Sequence, residues 1–165
     1  MDLTAKSTRI SPLLFLYDTH TDYFRNVIDG ISDEDSHKRL DTKANHIAWL
    51  AGSLVQQRYD LANLLTGGDH KQKADEYFKE YQGIKDDAQY PSLESYKDDW
   101  DIITPILREA LVNATDETLD KIFDMEDMKF PYFEMVGFSI HREAYFIGQI
   151  GLWRRILGYE PMKYQ

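Results

Sequence analysis

Residues 135–158 read MVGFSIHREAYFIGQIGLWRRILG, and this stretch decides the fold. From Met135 to Leu152 the only polar side chains are Ser139, His141, Arg142, Glu143, Tyr145 and Gln149. The segment predicts a helix from near Pro131 to Leu157-Gly158, apolar nearly all round and so wrapped by neighbours on several sides. Gly137, Ala144, Gly148 and Gly151 form a seam of small residues, read as close intramolecular packing with a homodimer contact as the alternative. The charged residues at its middle must find partners, because a buried charge left alone is costly.

Three further helices precede it. The first is expected to start at Ser11 as N-cap with Pro12 at the first helical position, and to stop at Gly30. Its apolar stripe is Leu13, Leu16, Tyr17, Phe24, Val27 and Ile28, with His20 inside it. An acidic turn, Ser32 to Asp35, follows. The second helix is expected from about Thr42 to Leu65, ended by Gly67-Gly68. One face carries Ile47, Ala51, Leu54, Leu61 and Leu65; the neighbouring face carries His46, Trp49, Leu50 and Ser53. Residues 69–91 read as a long crossover with two turns of helix, anchored by Tyr77, Phe78 and Tyr81. The third helix starts after Pro91-Ser92 with the stripe Leu93, Tyr96, Trp100, Ile103, Leu107 and Leu111, and Pro105 is expected to kink it. Residues 114–130 read as an irregular link. Four helices and no strand signal give an all-α four-helix bundle, a single domain over residues 1–165.

Composition narrows the function. The chain has 165 residues, 42% hydrophobic and 13% aromatic, enough for one ordinary core. A net charge of −10 with no Lys/Arg cluster repels phosphate backbones, so no nucleic-acid partner is expected. The absence of cysteine rules out disulfides, thiolate metal sites and a cysteine nucleophile. The N-terminus shows no secretory signal and no stretch is apolar enough for a membrane span, so a soluble cytoplasmic protein is expected.

Two segments carry a family resemblance. Residues 45–55, NHIAWLAGSLV, look like the helix that ends in Gly-His-Leu in the DinB-like superfamily. Residues 142–158, REAYFIGQIGLWRRILG, look like that family's His-Glu-Ala-Tyr-His-x-Gly-Gln segment and its trailing Leu-Arg-Arg-x-x-Gly. The resemblance implies an up-down-down-up bundle with a metal held by three histidines, one from the second helix and two from the fourth, four residues apart. Relatives include thiol transferases and metal-dependent hydrolases. In this chain the three positions are Ser53, Arg142 and Phe146. Serine is a poor ligand, arginine is permanently cationic and phenylalanine has no donor, so the fold is expected to carry over without the metal, and no cofactor is expected. His141 lies one residue off, about 100° around the helix.

The candidate pocket residues are therefore Trp49, Ser53, Arg142 and Phe146, with His20, His46, His141 and Gln149 as secondary candidates. Arg142 is expected to make a structural ion pair with Asp18, Asp22 or Asp60; alternatively it anchors a small anionic or apolar ligand. His20, His46 and His141 could form a relocated metal site, but each is read as a partly buried, hydrogen-bonded histidine. Gln149 is expected to satisfy a neighbouring polar group. Asp98, Asp99 and Asp101 read as a solvated face. The expected function is a non-catalytic ligand-binding or structural bundle, with a metal-free or displaced-metal transferase or hydrolase as the alternative.

Overall fold

The computed structural model describes residues 4–125 and 128–164. It is mostly helical, with four long helices: α1 (Ser11–Ile28), α2 (Ile47–Thr66), α3 (Leu93–Asn113) and α4 (Tyr132–Ile156). The described part of the link between α3 and α4 is not irregular throughout. It contains a small antiparallel hairpin, β1 (Ile122–Met125) with β2 (Met128–Pro131), in the register Ile122 to Pro131 and Phe123 to Phe130. No described helix is long and apolar enough to cross a membrane.

Helix ends follow local chemistry. Ser92 caps α3 by accepting from Ser95 N, and Gly67 ends α2 with a left-handed φ of 72°. α2 begins at Ile47, five residues later than the expected Thr42, because the preceding segment is committed elsewhere. Leu40 and Asp41 hold left-handed φ values of 46° and 58°, and the Arg39 guanidinium takes the carbonyls of Lys43 and Ala44 (2.7 and 2.8 Å) that a helix would need. The His46 ring then serves as N-cap, Nδ1 accepting from Trp49 N at 3.1 Å. In α1 the N-cap is Ile10, not Ser11, its carbonyl accepting from Leu13 N and Leu14 N. The buried stripe of α1 is Leu14, Tyr17, Phe24, Val27 and Ile28; Leu16 is 40% exposed and Leu13 only partly covered.

α2 packs on α3, α1 on α4, α2 on α4, and α1 on α3. Gly52 permits the first of these contacts: a Cβ there would sit 2.6 Å from the Tyr96 ring and overlap Phe78. The expected α3 stripe, Leu93 to Leu111, is buried throughout, and α3 runs unbroken through Pro105.

α4 corrects an expectation. It is covered on one side only: Phe138, Tyr145, Leu152 and Ile156 are 57–63% exposed. The small-residue seam is not a packing seam either. Nothing lies within 4 Å of a Cβ built on Gly137 or Gly148, and Gly151 meets only Val27, at 3.7 Å. The all-round apolar character of α4 thus exceeds what its neighbours α1 and α2 cover.

Candidate functional site

On α2, Trp49, Ser53, Gln56, Gln57 and Asp60 recur at three- and four-residue spacing, which places them along one side. α4 brings Met135, Phe138, Ser139 and Arg142 against them. With Phe78, residues 81–83 and Phe123, they enclose a cavity of about 540 Å³. Small-molecule pockets typically span about 300–1,000 Å³.

Arg142 is half-buried in the wall. Its Nη2 donates to Ser53 Oγ (2.7 Å), and its Nη1 to Gln57 Oε1 (2.9 Å) and to the Ser53 carbonyl (3.4 Å). Gln57 is oriented by its own bond to the Ser139 carbonyl (2.8 Å), so its oxygen faces the guanidinium. The guanidinium carbon lies 4.2 Å over the Phe146 ring, and Phe146 in turn packs on Trp49. A guanidinium carries five N–H donors and three are used here, which leaves two.

The expected ion pair is not formed. Asp18 binds Arg108 (2.8 and 3.0 Å), Asp22 faces Arg25 (3.4 Å), and Asp60 accepts from Gln56 Nε2 (2.9 Å). Among the described residues, no carboxylate pairs with Arg142. Burial pushes its pKa below the ordinary arginine value, opposed by the field of Asp60. The cation is held by neutral atoms.

Asp60 lines the same cavity. Gln56 Nε2 bridges it to Asp75 (3.1 Å), and Gln56 Oε1 accepts from Gln72 Nε2 (2.6 Å), which fixes the amide. Although Asp60 is exposed, partial desolvation raises its carboxyl above its ordinary value; the Gln56 bond and the charge of Arg142 oppose the rise, and the charge of Asp75 adds to it. At the rim, Tyr81 holds a left-handed φ of 57°, as does its neighbour Glu80 at 58°. Each such non-glycine residue stores about 1–2 kcal/mol, and strain of this kind clusters at ligand clamps. Tyr81, expected to anchor the crossover, is 71% exposed; Phe78 and Tyr90 are the buried aromatics there.

A second polar cluster lies in the core, away from any opening. Arg58 is 1% and Glu143 2% exposed, and they form a bidentate pair (Nε to Oε1 2.6 Å, Nη2 to Oε2 3.0 Å). Arg58 Nη1 also donates to Thr21 Oγ1 (2.9 Å) and Thr104 Oγ1 (2.8 Å). Its guanidinium carbon sits 3.5 Å from the Trp100 ring centroid and 4.1 Å from that of Tyr17. Every long helix contributes a member. Burial raises the Glu143 carboxyl, but the charge of Arg58, the bonds from Arg58 and the nearby His20 ring hold it below its ordinary value. The partner required by the charge in the middle of α4 is thus Arg58, which the sequence reading passed over.

The histidines do not assemble. His20 is buried in the core with Nδ1 3.4 Å from Glu143 Oε2 and no hydrogen bond at that atom. His46 caps α2 beside His37 and Tyr90; burial, then His37 and Arg39, lower its pKa to about 4. His141 is exposed. Gln149 is half-buried and, among the described residues, its side chain makes no hydrogen bond. Asp99 is not solvated as expected: it is 2% exposed and accepts from Lys73 N at 2.8 Å, while Asp98 and Asp101 stay open.

Ser53, Arg142 and Phe146, drawn from two segments far apart in sequence, meet in space. They do not fit a metal ion. A permanent cation stands where a lone-pair donor is needed, its edge is bonded to Ser53, and Phe146 offers no donor. Among the described residues, no group of three His, Asp or Glu side chains converges as metal ligands would. Compared with known proteins, the chain matches no family model and no curated sequence.

Proposed function

We propose that this chain is a DinB-like bundle whose metal position is held by Arg142, and that it binds a small, partly apolar organic anion without turning it over. The order of contacts supports an up-down-down-up arrangement. Residue numbers rise together between α1 and α4 (Arg9 with Phe133, His20 with Glu143, Val27 with Gly151) and between α2 and α3 (Gly52 with Tyr96, Tyr59 with Asp99). They run oppositely between α1 and α3 (Asp18 with Arg108, Arg25 with Asp101) and between α2 and α4 (Trp49 with Phe146, Ser53 with Arg142).

One observation carries the binding reading. Among the described residues, Arg142 is a half-buried cation on a cavity wall, bonded only to neutral groups and left with two unused donors. A carboxylate can take such an edge by charge-assisted hydrogen bonds, and aromatic walls of Trp49, Phe78 and Phe138 suit an apolar body. The test is thermal denaturation with 3-phenylpropionate against its uncharged amide. At 100-fold excess over Kd the acid stabilises the fold by about 2.7 kcal/mol, or roughly 5–10 °C. The amide shifts it far less, and Arg142→Met abolishes the difference. Equal shifts by acid and amide, or an acid shift that survives Arg142→Met, refute this reading.

A further inference from the structure

The cavity holds a second charge, and its placement defines the ligand more narrowly. Ser53, Gln56, Gln57 and Asp60 follow one another along α2, spanning roughly 10 Å at 1.5 Å per residue. Arg142 is tied to the Ser53 end, and Asp60, an exposed residue, stands at the other. Opposite charges on one wall attract. Yet these two do not meet, because each is tied back by an adjacent amide: Gln57 Oε1 accepts from Arg142 and Gln56 Nε2 donates to Asp60. Both amides are themselves fixed, Gln57 by the Ser139 carbonyl and Gln56 by Gln72 and Asp75. No cation pairs with Asp60 or Asp75 among the described residues, so the acidic end lacks a positive partner just as Arg142 lacks a negative one.

Resting on the anion-binding reading above, the geometry points to a zwitterion as the ligand: an amino acid or similar compound with an apolar side chain. Its carboxylate takes the unused edge of Arg142, its ammonium group donates to Asp60, and its side chain lies among Trp49, Phe78 and Phe138. Amide-held charges kept apart on one wall are the complement of a molecule that carries both charges a few bonds apart.

The experiment is titration calorimetry at pH 7 with four probes of one skeleton: phenylalanine, 3-phenylpropionate, 2-phenylethylamine and 3-phenylpropanamide. Phenylalanine is expected to bind roughly tenfold more tightly than 3-phenylpropionate, the worth of one charge-assisted hydrogen bond. Asp60→Asn removes that preference, bringing the ratio of the two affinities close to one; Arg142→Met weakens both. Circular dichroism confirms that each variant is folded. Equal affinity for phenylalanine and 3-phenylpropionate, or a preference that survives Asp60→Asn, overturns the zwitterion assignment and leaves the anion site standing. No binding by any probe overturns both.

Discussion

Replacing Arg58 by Met tests whether the buried pair organises the core. The substitution removes both bonds to Glu143, the bonds to Thr21 and Thr104, and the stacking on Trp100 and Tyr17. It leaves a carboxyl that is 2% exposed, with His20 Nδ1 3.4 Å away. Breaking a buried ion pair from one side costs about 3–5 kcal/mol, and Arg58→Met belongs at the upper end because the cation–π contacts go too. Glu143→Met costs less, since Arg58 keeps its threonine bonds and ring contacts. The double change Arg58→Met with Glu143→Met leaves no buried charge and costs far less than the two single changes summed, a coupling of a few kcal/mol. The assay is urea denaturation at pH 7, repeated at pH 4. In the wild type the folded pKa of Glu143 is depressed, so its contribution is present above the unfolded value of 4.5 and lost as pH falls through the folded pKa. Without Arg58 the desolvated carboxyl is raised instead, so the Arg58→Met deficit narrows as pH falls. A loss below about 1 kcal/mol for Arg58→Met, or strict additivity in the cycle, refutes the reasoning.

Other predictions follow from single contacts. The folded pKa of His46, about 4, lies below its ordinary 6.5, so the unfolded chain takes up a proton first and stability falls from pH 6.5 toward 4, by about 3 kcal/mol; His46→Asn keeps a helix cap and removes that slope in pH-dependent denaturation. Gly52→Ala forces the Phe78 and Tyr96 rings to move and costs about 1–3 kcal/mol in the same assay, opposite to the usual gain from alanine in a helix. If the DinB-like alignment holds, changing Ser53, Arg142 and Phe146 together to histidine creates zinc-dependent thermal stabilisation absent from the parent. A register-shifted set, Ser53→His and Tyr145→His with native His141, binds more weakly; equal or tighter binding would show α4 aligned one residue out.

Some of this was legible in the sequence and some was not, for physical reasons. The α3 stripe could be read because each position is apolar at regular spacing, and Gly67 because a glycine after a periodic run marks a stop. Ser53, Arg142 and Phe146 could be placed together from the pattern of two segments. Arg58 was missed although its signal was present: it fills the gap in the stripe Ile47, Ala51, Leu54, Leu61, Leu65. Glu143 interrupts the α4 stripe of Ile140, Phe146 and Ile147 in the same way. A charge standing in an apolar stripe on each of two helices marks a buried pair, but only three-dimensional packing shows that the two stripes face each other. The half-open side of α4 was invisible because composition records what a helix could bury and not what its neighbours cover. Asp60 and its amides were passed over because polar residues at helix spacing look like a solvated face until a cavity is seen beside them.

The central claim is that Arg142 anchors an anion in the cavity between α2 and α4. A crystal structure of the protein saturated with 3-phenylpropionate tests it most directly. The carboxylate should lie within hydrogen-bonding distance, about 2.7–2.9 Å, of the unused Arg142 donors, with the phenyl ring among Trp49, Phe78 and Phe138 and the Ser53 and Gln57 bonds retained. A ligand bound elsewhere, or Arg142 turned onto Asp60 with the cavity closed, would contradict the account.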